Sequence, residues 1–371
     1  MIDGADLARY AGQFVWLELN FDRAENRAFL TKYGAIATPT FYIIDAQSAR
    51  VSATQTGAMS LPEFKQFLER GASGISVKAR TPADEALTRG DSLLARQPLE
   101  AVKAYQEALR DSPPSWPHRD LAEASLVTAM QNSGDYRQCA ETAANEAASM
   151  NRSEMFGRTV VVGMWCVVNG DPAPWSKDLA AKLEPLAREG LSLPATVRDH
   201  RNELYRTLMY VALARNDQAQ AKDWGDRWLK ELDAIRPASD EERSAVDIAR
   251  VENIQAFGDP KRILPALLTS EQAMPHSWNA SLRVAQMEIA AQSYADAIRA
   301  CDRGLARVPG PAGRSWILQT KAEALNHLGQ PQQARQAFAE ALTAAASIPN
   351  ERTRQNNIHK IAQALKQLPN R

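Results

Sequence analysis

Apolar and polar positions along this chain follow two different rhythms. In the first 74 residues the runs are short and mixed. Phe14-Val15-Trp16-Leu17-Glu18-Leu19 is an apolar, β-favouring run closed by Asn20-Phe21-Asp22, and it predicts a strand. Positions 23–33 carry Phe29, Leu30 and Tyr33 on one side of a helix, with Gly34 as the stop. Phe41-Tyr42-Ile43-Ile44 predicts a second strand closed by Asp45, and 50–56 alternates weakly enough to return as its antiparallel partner. Ser60 with Glu63 three residues on reads as a capping box ahead of Phe64, Phe67 and Leu68. The predicted order is strand, helix, strand, strand, helix.

From 81 onward the alternation gives way to helix-length segments separated by Gly, Pro and Asp. The pattern predicts helix pairs at 84–97 with 98–111, 117–133 with 135–148, and 154–168 with 176–189. Further pairs fall at 195–215 with 217–234, 239–257 with 260–273, 276–291 with 293–307, and 312–328 with 331–347. A last helix at 352–367 has no partner and suits a cap. About seven hairpins in series predict an α-solenoid. Small and aromatic residues recur within it. One unit reads Gly90, Ala101, Tyr105, Ala108 and Pro113; a later one reads Ala285, Tyr294, Ala297, Cys301, Gly304 and Pro309; the next reads Ala322, Gly329, Ala334, Phe338 and Ala341. Small residues at these places let paired helices approach, and the larger ones fill the gap to the next unit.

These residues resemble the tetratricopeptide repeat, whose period is ~34 residues. Ala101 to Cys139 spans 38 and Ala297 to Ala334 spans 37, so the repeats are long and degenerate. The resemblance implies a concave face lined by the first helix of each hairpin and open to polypeptide partners. Counting along the motif puts Thr128, Gln131, Gln286, Gln319, Glu323 and Asn326 on that face. The set is polar and mostly uncharged, which favours a hydrogen-bonding peptide groove over an ionic clamp.

The first 74 residues resemble the C-terminal part of a thioredoxin-fold domain. The matching pieces are Leu17-Glu18-Leu19-Asn20, the run Lys32-Tyr33-Gly34-Ala35-Ile36-Ala37-Thr38-Pro39-Thr40-Phe41, Gly57, and the helix from Glu63-Phe64 to Leu68. The resemblance implies a cis bond between Thr38 and Pro39 and, beside it, a backbone edge that docks an extended peptide. The family's redox chemistry needs a Cys-x-x-Cys at a helix N-terminus. That motif is expected one helix before Phe14, and 1–12 reads as the tail of the helix that would carry it. The expected architecture is thus mainly α: an incomplete thioredoxin-like α/β module over 1–74, then a tetratricopeptide-like domain over 81–371 with a C-terminal capping helix. In that reading the chain is a redox-inactive interaction scaffold. The alternative is an N-terminally truncated thiol–disulfide oxidoreductase whose full-length form carries the Cys-x-x-Cys. The resemblance points to an extracytoplasmic, periplasmic setting, although MIDGADLARYAG has neither the basic start nor the apolar stretch of an export signal.

Composition narrows the chemistry. The 371 residues hold 44 Lys plus Arg against 44 Asp plus Glu, which disfavours nucleic acid and anionic membranes as general partners. No apolar run approaches the ~18 residues of a membrane span. Protein or peptide clients are the expected partners, with self-association through the 41–44 edge as a further expectation. Cys139, Cys166 and Cys301 are too few for a disulfide-stapled scaffold. Trp165-Cys166 resembles the start of a thioredoxin site but lacks the second thiol, and all three cysteines read as separate packing residues. The histidines at 118, 200, 276, 327 and 359 have no metal-ligand spacing. No phosphate loop, nucleophile elbow or other catalytic motif is present, so no catalytic residue, cofactor or metal is expected. Arg198-Asp199-His200-Arg201 and Asp240-Glu241-Glu242-Arg243 read as solvated helix faces.

Overall fold

The computed structural model describes residues 5–19, 24–34, 39–75, 81–307 and 309–368. A 3₁₀ turn at Ala5–Tyr10 precedes α1 (Arg27–Tyr33), β1 (Thr40–Ile44), β2 (Val51–Thr56) and α2 (Leu61–Ile75). Helices follow in series: α3 (Pro82–Leu93), α4 (Pro98–Asp111), α5 (Arg119–Ser133), α6 (Tyr136–Ser149), α7 (Glu154–Gly170), α8 (Pro174–Ser192), α9 (Arg198–Ala214) and α10 (Gln218–Ala234). The series continues with α11 (Asp240–Phe257), α12 (Leu264–Ala273), α13 (Trp278–Ala290), α14 (Tyr294–Ala306), α15 (Pro311–His327), α16 (Pro331–Ala346) and α17 (Glu351–Gln367). The protein is mainly helical, built as consecutive hairpins behind a small two-stranded sheet. It divides into two compact units, one of Met1–Leu19 with Ala28–Trp224 and one of Asn20–Arg27 with Gly225–Arg371.

In the first unit, β1 and β2 pair antiparallel, with Thr40 opposite Thr56 and Tyr42 opposite Thr54. Ile43 and Ala53 enter a core with Phe64, Phe67 and Leu68 of α2. The helix lies so close that a Cβ on Gly71 would sit 2.1 Å from Ile43 Cδ1. The strand expected over 14–19 does not form. Val15 is 89% exposed and Leu17 71%, while Trp16 holds a ring contact with Phe64 at 6.2 Å. Among the described residues the sheet has two strands and this run pairs with neither, and aromatic packing on α2 takes the place of a ladder. The Thr38–Pro39 bond lies outside the described residues.

Asp91 on α3, 2% exposed, ties the sheet to the first hairpin. Its carboxylate pairs with Arg70 of α2 and accepts from Tyr105 Oη at 2.8 Å and from the Thr54 backbone N–H at 3.3 Å. The Thr54 hydroxyl donates to the Asp91 carbonyl at 2.9 Å. Gly90 lets α3 and α4 approach: a Cβ there would lie 2.5 Å from Tyr105 Cε1. Ser60 caps α2 by accepting from the Glu63 N–H at 3.3 Å. The reciprocal arm of the expected capping box is replaced, because the Ser60 N–H donates instead to Glu154 Oε1 of α7 at 2.9 Å.

Two corrections concern side chains in this unit. Cys139 of α6 and Cys166 of α7 are not separate packing residues but form a disulfide, both fully buried. Hairpin stacking brings together two small-residue positions that lie 27 apart in sequence. His200 is not on a solvated face: it is 7% exposed, and burial together with the Arg158 charge pushes its imidazole down to about 4.

In the second unit the repeat residues take the interior. Ala285, Ala297, Cys301, Ala322, Ala334 and Ala341 are each 0% exposed. Phe338 packs with Leu318 and Leu325, and Ile361 of α17 and Leu368 just after it close this core. Capping fixes the helix starts: Ser239 accepts from the Glu242 N–H, Ser277 from Ala280 and Asn350 from Thr353.

Candidate groove on the second unit

Three helices of the second unit share one open face. From α11 come Ile248, Val251, Glu252 and Gln255; from α13 come Asn279, Leu282, Arg283 and Gln286. From α15 come Trp316, Gln319, Thr320 and Glu323. Each set has the spacing i, i+3, i+4, i+7, which is one stripe of an α-helix. The opposite stripes hold the small and apolar residues that pack the hairpins, so these faces are left to line a cavity of about 630 Å³. That volume lies in the range of ligand sites.

The surface is chemically mixed. Ile248 and Trp316, 46% and 38% exposed, supply apolar walls, and Trp316 leans on Trp278 with ring centroids 6.0 Å apart. Gln286 and Gln319 are half-buried. Gln319 Nε2 is held by Asn357 Oδ1 at 3.1 Å and by the Ser315 carbonyl and hydroxyl at 3.2 Å. Its orientation is therefore fixed before any ligand arrives. Arg283 is 9% exposed, and its Nε and Nη2 are buried without a hydrogen-bond partner. Burial lowers its guanidinium from the ordinary value, and the Asp247 charge pushes back.

Three of the expected site residues, Gln286, Gln319 and Glu323, meet in this groove. The others do not. Asn326 is half-buried on α15 beyond the lining stripe. Thr128 and Gln131 belong to α5 in the first unit. Thr128 is 5% exposed and its hydroxyl donates to the Ala124 carbonyl at 2.8 Å, so it is packed inside instead of facing a groove. Pro39 is exposed ahead of β1, with its carbonyl accepting from the Gly57 N–H at 2.9 Å, and Thr38 lies outside the described residues. Sequence reasoning missed Arg283 and Trp316. The signal was present in the stripe itself, where an arginine interrupts an otherwise apolar run, Leu282-Arg283-Val284.

The first unit has a smaller cavity of about 290 Å³, lined chiefly by apolar atoms of Val167, Ala180, Tyr210 and Val211. Among the described residues no group of His, Cys, Asp and Glu could hold a metal ion, and no helix is long and apolar enough to cross a membrane. Cys301 is buried, and burial raises its thiol to about 12.

No family model matches the chain, and no curated protein matches it. Among solved structures the chain is similar to a tetratricopeptide repeat protein from Parabacteroides merdae, with a TM-score of 0.43 and 10% sequence identity. The match covers 76% of this chain and 99% of that one.

Proposed function

We propose that the chain is a protein-interaction scaffold whose second unit seats an extended polypeptide segment in the groove between α11, α13 and α15. The carrying observation is the triple i, i+3, i+4, i+7 stripe, which sets amide side chains beside apolar walls. An extended backbone needs donors and acceptors at its peptide groups and shallow apolar recesses for its side chains. Amides serve both polarities, as glutamine offers a carbonyl and two N–H donors. The test is capture of acetylated, amidated random nonapeptides by the full chain. Binding that falls at least about five-fold in Trp316→Ala and Gln286→Ala supports the reading; no capture, or capture indifferent to both changes, overturns it.

In the same proposal the N-terminal helix–strand–strand–helix segment is a thioredoxin-like remnant within a domain over 1–74, with the repeats over 81–371, and the chain does no disulfide exchange. The α1, β1, β2, α2 order and the antiparallel pairing support the remnant. Redox silence is supported by the state of the cysteines: two are bonded to each other in the interior, and the third holds a thiol that stays protonated at neutral pH. Dithiothreitol-driven insulin reduction above that of a cysteine-free variant would contradict this. A buried disulfide also fits an oxidising, extracytoplasmic setting.

A further inference from the structure

We propose that the groove selects a polypeptide segment that inserts an aspartate or glutamate side chain, from the interior of the segment, onto Arg283. This rests on the reading of the groove as a polypeptide site and adds what that site recognises.

The starting observation is a guanidinium that the fold leaves unmatched. Arg283 is nine-tenths buried, lines the groove, and has Nε and Nη2 without a hydrogen-bond partner. A buried cation is costly unless it is paired and hydrogen-bonded. The acids nearby are already committed. Asp247 Oδ1, 1% exposed at the residue, accepts from Arg250 Nη1 and from Ser270 Oγ, both at 3.1 Å. Glu271 is held by Arg303 at 2.8 Å and by the Ser281 hydroxyl at 2.6 Å. Arg250 bridges Asp247 and Asp233, each at 3.1 Å, so that both of these carboxylates are held by Arg250 while Arg283 has no hydrogen bond to either. On the groove floor Arg283 thus keeps donors that no acceptor of the chain meets, and a carboxylate from a ligand supplies the missing partner.

Position decides which carboxylate. Arg283 sits on α13, the middle of the three lining helices, between the stripes of α11 and α15. A segment long enough to touch both outer helices crosses Arg283 with an interior residue, so a side chain, not a chain terminus, meets the guanidinium. The walls add a second filter. Glu252, half-buried on α11, and Glu323, exposed on α15, both line the groove and disfavour a segment that is acidic throughout. One acidic residue with neutral or basic flanks fits this distribution.

The test uses the full chain and nonapeptide pools, acetylated and amidated, random except for a central Glu, Gln or Lys. The Glu-centred pool is expected to be captured about ten-fold better than the Gln-centred pool, with the Lys-centred pool weakest. Arg283→Met should abolish the preference without lowering Tm, because the guanidinium it removes has no hydrogen bond to lose. Arg283→Lys, which keeps charge but not the fork, should retain part of it. Equal capture of the three pools overturns acid selection and leaves the polypeptide groove standing. Capture of none, with or without self-association of the chain, overturns both. A Gln-centred pool with a free C-terminal carboxylate that outcompetes the amidated Glu-centred pool would show that the terminus, not a side chain, is read, and also overturns the proposal.

Discussion

Glu63 and His200 show how burial sets the pH behaviour of individual side chains in the first unit. Burial, with Glu154 close by, pushes the Glu63 carboxyl up to about 9, against the opposing charges of Arg158 and Arg70. Its Oε2 is buried with no donor to accept from, which is where a proton shared with Glu154 belongs. Because the folded value lies above the ordinary 4.5, the folded state holds a proton that the unfolded state has lost. Stability therefore falls as pH rises from 4.5 towards 9, by up to ~1.4 kcal/mol per pH unit from this group. His200 acts with the opposite sense. Its folded value of about 4 lies below the ordinary 6.5, so stability falls as pH drops from 6.5 towards 4. Between 4.5 and 6.5 the two effects oppose each other, so a Tm profile of the whole chain should be level there and fall on either side; Glu63→Gln should flatten the alkaline arm and His200→Gln the acid one. Unchanged arms in both variants would show that neither group stays in its uncharged form. None of this was legible in the sequence, where His200 stands in a charged run and Glu63 in an ordinary capping pattern. Their environments come from other helices: Glu154 lies 91 positions from Glu63, and Arg158 lies 42 from His200.

At the scale of elements the sequence was far more transparent. The helix boundaries follow from local chemistry that needs no tertiary partner. Pro82, Pro98, Pro311 and Pro331 open helices at N1, Gly134 closes α5 in the left-handed region, and Ser239 caps α11. The repeat alanines were readable for the same reason, since a small residue recurring opposite an aromatic marks a close helix contact. Ala334 is 0% exposed within the α15–α16–α17 core, so Ala334→Leu should overpack it and cost ~1–3 kcal/mol, read as a lowered denaturant midpoint with unchanged slope. A midpoint equal to that of the parent chain would place the repeat register elsewhere. Failures came where a distant partner decides the outcome. The run 14–19 has strand composition but no strand partner among the described residues, and Ser60 finds Glu154 in place of the local Glu63 side chain. Likewise the Cys139–Cys166 bond depends on which helix faces stack, which spacing in sequence does not reveal.

At the scale of the molecule, hairpins bury one stripe of a helix and can leave another open. In the second unit three open stripes coincide and form the groove. Counting along the repeat found Gln286, Gln319 and Glu323 because their place is set by period alone. It misplaced Thr128 because α5 is buried over most of its length, with Ala122 to Met130 all inside, so no stripe of that stretch is left open. It passed over Arg283 because an arginine in a helix reads as solvated until its exposure is known. The most direct measurement of the central claim is site-specific photo-crosslinking. A benzophenone amino acid replaces Ile248 on the groove wall or, as control, Leu99, which is 64% exposed on α4 in the first unit. Irradiation with the biotinylated Glu-centred nonapeptide pool should label the chain from position 248 and leave the 99 variant at background. Equal labelling from the two positions, or labelling from 99 alone, would contradict the assignment of the groove as the polypeptide site.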